Sequence, residues 1–212
     1  SRGGEPLTLA LSPTVTLTKV SVGPNDNNAY LLEGGGALLL VDAADDADTL
    51  QTVLDGRTVA TLVTTHRHPD HWQALAAVAG SADRLVAGTP DAAAVAEGAG
   101  VTVPDGVWDG DTVGLGDEHL DVVGLVGHTP GSIVLAYRGP DGPTHLFTGD
   151  SLFPGGPGKT RSPADFASLM DDLEAKIFAV YDDDTVVHPG HGDGTTLGTE
   201  RPHLAEWRAR GW

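Results

Sequence analysis

The stretch "TVATLVTTHRHPDHWQALAAVAG", residues 58–80, joins an apolar run, a turn crowded with histidine and a second apolar segment of different period. Residues 58–65 are apolar or β-branched throughout, which suits a buried strand. Pro69 ends that run and fits the first turn of a helix, where its missing N–H leaves nothing unsatisfied. The spacing predicts a helix from Pro69 to Gly80, with Gly80 as its stop and Trp72, Leu75, Ala76 and Ala79 along one face. Between strand and helix, His66, His68, Asp70 and His71 fall within six positions. An extended i, i+2 pair projects His66 and His68 to the same side, and Pro69 lets Asp70 and His71 turn back toward them. Either this turn grips metal, or it is a polar loop that happens to be rich in histidine.

Working outward, the strand-then-helix order recurs. Short β-branched or apolar runs at 14–22, 29–33 and 37–42, separated by Asn/Asp/Gly turns, read as early antiparallel strands. "ADTLQTVLDG" reads as a helix ending near Gly56, and "RLVAG" followed by "PDAAAVAEG" repeats the alternation. The second half starts over with strands at "HLDVVGLV", "SIVLAYR" and "THLFTGD". A helix follows across 163–181, then a strand "TVVHPG" and a closing helix "TERPHLAEWRARG" with Thr199 as its N-cap. In that tail Leu204 and Trp207 are available to dock, and Trp72 likewise reads as packing. Two successive sets of strands, each covered by helices, imply an α/β architecture of two sheets packed face to face between helical layers. No linker or repeat divides the chain, so residues 1–212 are expected to form one domain.

Composition narrows the function. Twelve Lys and Arg against thirty Asp and Glu give a formal charge of −18, which repels a phosphate backbone and argues against nucleic-acid partners. The acidic runs "DAADDAD" (42–48) and "DDD" (182–184) read as solvated surface. With no cysteine in the chain, disulfides and thiolate ligands are excluded, and a metal site must use imidazoles and carboxylates. No apolar run approaches the length of a membrane span, and the amino end, beginning "SRGG", lacks a charged segment followed by an apolar one. The expectation is a cytoplasmic protein without a membrane partner.

Three more candidate ligands lie just after strands: His128 in "VGHTPGS", Asp150 in "FTGDSLF" and His191 in "HPGHGDG". Groups carried on strand ends and tight Gly/Pro turns are held rigidly, as a metal requires. The ordered blocks H-x-H-x-D-H, G-H-T-P-G-S, T-G-D-S-L-F and P-G-H-G, running from "NAYLL" to "PGHG", resemble the metallo-β-lactamase superfamily, most closely its glyoxalase II-like hydrolases. The resemblance implies a four-layer αββα sandwich of two mixed sheets with the site at one edge. It implies that His66, His68 and His128 bind one metal, that Asp70, His71 and His191 bind another, and that Asp150 bridges them. Two divalent ions are implied, zinc first, with iron or manganese as alternatives. Such a pair holds a bridging hydroxide whose parent water has its pKa lowered from about 15.7 to about 7. Asp70 would orient this nucleophile and shuttle its proton. His119, His145, His188 and His203 match no ligand position and are read as structural.

Asp42, closing "LLLVD", is either a strand-end cap or an acid that orients a ligand. "GGPGKT" lacks the first glycine of a phosphate-binding loop, since Phe153 stands there, so nucleotide binding is rejected. By the same resemblance Lys159, with Arg161 nearby, would bind an anionic group of the substrate. The implied substrate is a thioester or similar small acyl compound. Phe153, where related lactonases carry tyrosine, and Asp150, where true metallo-β-lactamases have Cys or Ser, weigh against those activities. An iron-dependent sulfur dioxygenase on the same scaffold is the competing class.

Overall fold

The computed structural model describes residues 5–212; the opening "SRGG" lies outside them. Strands β1 (Leu7–Ala10), β2 (Val15–Val22), β3 (Asn27–Gly34), β4 (Ala37–Val41), β5 (Val59–Thr64), β6 (Ala82–Gly88) and β7 (Asp105–Val107) lie in that spatial order in one sheet. The pairings β1 to β4 are antiparallel, and those from β4 to β7 are parallel. Parallel neighbours need a crossover. Helix α1 (Ala47–Leu54) supplies the first, the 69–81 segment containing α2 (Leu75–Val78) the second, and α3 (Thr89–Ala99) begins the third.

The second sheet contains β8 (Thr112–Leu115), β9 (Glu118–Leu125), β10 (Ser132–Tyr137) and β11 (His145–Gly149). After a small hairpin, β12 (Leu152–Phe153) and β13 (Gly156–Pro157), it is completed by β14 (Val186–Pro189) and β15 (Thr195–Thr196). Its order is β15-β14-β11-β10-β9-β8, with β11 and β14 parallel. Helix α4 (Pro163–Asp172) continues as a π-helical turn over Leu173–Phe178, and α5 (Leu197–Glu200) and α6 (Leu204–Arg210) close the chain.

The two sheets pack face to face. Leu17, Leu32, Leu39, Val41 and Val63 of the first meet Leu120, Ile133, Leu135 and Phe147 of the second in one buried cluster. The alternate residues Leu38, Leu40 and Leu62 point the other way, onto Leu50, Leu54, Leu75 and Val95 of the helices. Burial on both faces explains why "ALLLV" is continuously apolar rather than alternating. A third cluster joins Val134 and Leu146 to Phe166, Leu169, Met170 and Trp207, with Leu204 packed against it. This is the expected αββα sandwich, and the tail docks as expected. Among the described residues no helix is long and apolar enough to cross a membrane.

Three expectations need correction. Residues 69–80 form no continuous helix: a 3₁₀ turn at Pro69–His71 is followed by only four α-helical residues, Leu75–Val78. The break arises because the Gln73 and Ala74 amides donate to Ala44 and Ala43 carbonyls, pinning the chain to the strand end beside it. His71, Ala74, Leu75 and Val78 face inward, while Ala76 is exposed. The cap of the closing helical segment is Thr196, whose hydroxyl accepts the Thr199 amide; Thr199 is the residue capped. The run 42–48 is not simply solvated either, since Asp42, Ala43 and Ala44 are buried and Asp46 caps α1.

His145 and His188 pair between β11 and β14, Nδ1 to Nε2 at 3.0 Å, with His188 stacked on Phe147. Burial, with the His145 and Lys19 charges, pushes His188 down from 6.5 to about 3. The unfolded chain therefore binds a proton that the folded one refuses. The stability this pair confers is complete above pH 6.5 and drains as pH falls toward 3, at about 1.4 kcal/mol per pH unit for one proton. His188→Gln is expected to flatten the pH dependence of urea-unfolding free energy between pH 6.5 and 4.5 by about that slope. Identical slopes in variant and wild type would rule the pair out as an acid sensor of folding.

Candidate metal centre

The candidate ligands stand in the turns that follow strand ends at one edge of the sandwich, with Asp70 and His71 in the 3₁₀ turn beyond β5. β5 stops at Thr64, and Asp42, just past β4, catches the chain there. Its Oδ1 accepts the Thr65 amide at 2.7 Å, and its Oδ2 accepts the Thr65 hydroxyl at 2.8 Å and His71 Nδ1 at 2.7 Å. Asp42 has φ 61°, a left-handed conformation that aspartate tolerates better than most residues. Both readings of Asp42 hold, because the same carboxylate caps the strand end and orients His71.

The imidazoles are held from behind in the same manner. His66 Nδ1 faces the Thr65 hydroxyl at 3.0 Å, which is itself committed to Asp42. His128 Nδ1 donates to the Lys159 carbonyl at 2.6 Å, and His191 Nδ1 to the Asn25 carbonyl at 3.1 Å. With Nδ1 occupied, each ring carries its Nε2 forward. Those Nε2 atoms converge on Asp150 Oδ2: His71 at 3.1 Å, His191 at 3.3 Å, and His66 and His128 each at 3.6 Å. Asp70 Oδ2 lies 3.1 Å from His191 Nε2 and 3.5 Å from His71 Nε2. The His68 ring sits edge-on to His128 and to His66.

All seven residues singled out in the sequence thus meet. Ligand atoms of His66, His68 and His128 lie within 4.8 Å of one another, and so do those of Asp70, His71, Asp150 and His191. Asp150 Oδ2 stands within reach of both groups.

Without a metal the electrostatics divide the cluster: His66 and the two carboxylates are held in forms that offer lone pairs, whereas His71 and His191 hold protons that a metal would displace. Burial, reinforced by His71, holds His66 well below 6.5, so it is neutral. Burial opposes ionisation of Asp150, but the surrounding imidazoles His128, His191 and His71 override it and keep the carboxyl well below its usual range. The His191 imidazole beside Asp70 holds that carboxyl low against its own burial. His191 is lifted from 6.5 to about 10 by Asp150 and Asp70. Burial pulls His71 down, but Asp42 and Asp150 raise it well above 6.5.

A metal fits this arrangement on the structure's own terms. His66 Nε2, His128 Nε2 and Asp150 Oδ1 are buried polar atoms with no hydrogen-bond partner among the described residues. Buried lone pairs left unpaired are costly, and a cation between them removes that cost. The surrounding backbone is equally tight: a Cβ at Gly158 would lie 1.5 Å from the Asp150 carbonyl, and one at Gly190 would lie 2.5 Å from Asp150 Oδ1.

Some contributors were not visible in the sequence. Buried Asn27 donates to the Asp70 carbonyl at 2.8 Å and to its Oδ2 at 3.1 Å, and Asn28 holds the Pro189 and Gly192 carbonyls. "NDNN" signalled only a turn, and a carbonyl such as that of Lys159 leaves no signal at all. Lys159 and Arg161 are exposed and line a cavity of about 670 Å³ with Phe166 and Trp212. Arg161 also lines a smaller cavity of about 220 Å³ with Arg67, His68 and His128. Phe153 sits beside His191, with ring centroids 6.1 Å apart. Trp72 packs with the helices outside the first sheet and donates to the Arg67 carbonyl at 2.7 Å. His119 and His203 pair with nearby acids on the surface, away from the centre.

Known proteins share this fold and parts of this sequence. The family model described as the metallo-beta-lactamase superfamily matches residues 22–191. A hydroxyacylglutathione hydrolase of Anaeromyxobacter dehalogenans is 38% identical over 168 residues, 78% of this chain and 61% of the relative, so the chain spans about three-fifths of that protein. Among solved structures, TTHA1623 in a di-iron-bound form is 31% identical with a TM-score of 0.66, covering 86% of this chain and 96% of the other. The BLEG-1 B3 metallo-beta-lactamase is 26% identical with a TM-score of 0.72, covering 89% and 97%.

Proposed function

The chain belongs to the metallo-beta-lactamase superfamily, and we propose that it is a dinuclear metal-dependent hydrolase of thioesters or similar small acyl compounds. The observation that carries this reading is the convergence of three buried, unpartnered atoms, His66 Nε2, His128 Nε2 and Asp150 Oδ1, among seven ligand-type side chains. His66, His68 and His128 hold one ion, and Asp70, His71 and His191 hold the other, with Asp150 reaching both. The donor set of nitrogen and oxygen without sulfur suits zinc first. Iron is the second metal to examine, because the relative TTHA1623 was crystallised with two irons. Bound metals supply Lewis acidity and an ionised water near neutral pH.

The chain's own part is to place and protonate. Asp42, the Thr65 hydroxyl and the Lys159 and Asn25 carbonyls fix which nitrogen of each ring faces the reaction space. Asp70, braced by Asn27 at its carbonyl and its Oδ2, orients an attacking water and relays its proton to the departing group. Lys159 and Arg161, the cations on the loop beside His128, bind an anionic end of the substrate. Lys159→Ala is accordingly expected to raise KM for an anionic thioester about tenfold while leaving a neutral one within twofold, as loss of one charge-assisted hydrogen bond implies. Equal effects on both substrates would remove the role.

The deciding experiment is a panel of acyl thioesters, lactones, β-lactams and phosphodiesters assayed on protein of measured metal content. Thioester turnover with two ions per chain is the expected result. One iron per chain with oxygen consumption and no hydrolysis would replace this reading with a dioxygenase.

A further inference from the structure

Asp91 is a fully buried carboxylate that none of the steps above employs. It stands in the first turn of α3, behind the first sheet's strand β6. Its Oδ2 accepts the Arg67 backbone amide at 2.9 Å and the Thr129 hydroxyl at 2.7 Å, and its Oδ1 accepts Arg67 Nε at 2.8 Å. A second Arg67 nitrogen donates to the neighbouring Pro90 carbonyl at 2.9 Å.

The identity of these partners is what matters. Arg67 is the residue between His66 and His68, and Thr129 directly follows His128. The first two histidines ride on the end of β5 in one sheet, whereas His128 rides on the turn from β9 to β10 in the other. One side chain therefore bonds to both ligand-bearing turns across the gap between the sheets. The contact is close: a Cβ at Gly131, in the same turn as His128, would lie 2.5 Å from the Asp91 amide nitrogen. A backbone bond, Ile133 amide to Thr65 carbonyl at 3.0 Å, runs beside it. A buried carboxylate is tolerated only when paired and hydrogen-bonded, so these donors hold Asp91 as firmly as it holds them.

The seven-residue centre is thus braced by two separate acids. Asp42 secures His71 directly, in the group of Asp70, His71, Asp150 and His191, and reaches the other group only through the Thr65 hydroxyl behind His66. We infer that Asp91 is the positioning residue for the other group, fixing the 66–68 turn against the 128 turn and so setting how tightly His66, His68 and His128 hold their metal. This inference rests on the dinuclear reading proposed above. Orientation of ligands by such outer partners is worth about 10- to 100-fold in metal affinity.

The test measures metal affinity rather than turnover. Cobalt(II) is titrated into metal-free protein against a competing chelator, with the absorption of each bound equivalent recorded. His128→Ala and His191→Ala serve as references for the spectrum lost with each group. Thr129→Val, Asp91→Asn and Asp91→Ala are then compared, with thermal unfolding of each metal-free protein measured in parallel. The expected result is an affinity about 10- to 100-fold lower for the equivalent missing in His128→Ala, with the other equivalent unchanged, and a smaller loss for Asn than for Ala. Thr129→Val and Asp91→Asn preserve volume and carry the test if Asp91→Ala does not fold. Equal weakening of both equivalents, or a lower melting temperature with both affinities intact, overturns the inference and makes Asp91 a structural brace only. A wild-type chain that binds no cobalt overturns the dinuclear reading itself, which is seen before any variant is made.

Discussion

Asp150→Ala is expected to lower kcat/KM for the best thioester by about a thousandfold or more, and to leave the purified protein with fewer metal ions per chain than wild type. The expectation follows from position. Asp150 Oδ2 lies 3.1–3.6 Å from the Nε2 atoms of four imidazoles drawn from three separate turns, so this one carboxylate is placed to serve both groups. Metal polarisation of a carbonyl contributes several kcal/mol to a transition state, and each 1.4 kcal/mol or so is a decade in rate. In the metal-free chain the same replacement leaves the imidazoles facing one another without their shared anion. His191, which Asp150 and Asp70 lift to about 10, then loses the larger source of that lift. Its titration should move down toward 6.5, measurable by NMR on metal-free protein. Element analysis and steady-state kinetics on the same preparation check the main expectation. A variant with two ions per chain and activity within tenfold of wild type would show that Asp150 is not the shared ligand.

The seven clustered side chains were legible in the sequence because their signals are local. His66 and His68 are an i, i+2 pair on a strand end, Pro69 forces the turn that returns Asp70 and His71, and Gly127, Gly149 and Gly190 mark tight turns beside His128, Asp150 and His191. The alternation of strands and helices was legible for the same reason, since period and punctuation are properties of a few consecutive residues. What the sequence hid depends on partners far along the chain. The 69–80 helix breaks because Ala43 and Ala44 offer carbonyls to Gln73 and Ala74, and no window of that segment contains those residues. Asn27 resembles any turn asparagine until Asp70 arrives beside it. Asp91 looks like an ordinary acid in a helix's first turn until Arg67 and Thr129 close on it. The edge strand β1 escaped because Leu7–Ala10 is exposed throughout, leaving no buried face to impose a period.

Asp42 bears the second large expected effect, and its two substitutions separate folding from metal binding. Asp42→Ala removes the acceptor for three groups at once: the Thr65 amide, the Thr65 hydroxyl and His71 Nδ1. Breaking a buried pair by deleting one member costs about 3–5 kcal/mol, and alanine at φ 61° adds about 1–2 kcal/mol of backbone strain. Urea unfolding in the presence of chelator should show that loss. Asp42→Asn keeps the volume but replaces an acceptor oxygen with an N–H₂ donor. If its remaining oxygen stays on the Thr65 amide, the new donor faces His71 Nδ1, which can satisfy it only by giving up its proton. The proton then moves to Nε2, on the side of Asp150 and the ligand cluster, where a lone pair is needed. The amide variant should therefore fold with a much smaller stability loss than alanine yet bind the equivalent that is missing in His191→Ala about 10- to 100-fold more weakly, with a smaller loss at the other equivalent, because the same Oδ2 also holds the Thr65 hydroxyl behind His66. If Asp42→Asn retained wild-type affinity for both ions, the His71 tautomer would not be set by Asp42, and the carboxylate's contribution would be confined to holding the end of β5.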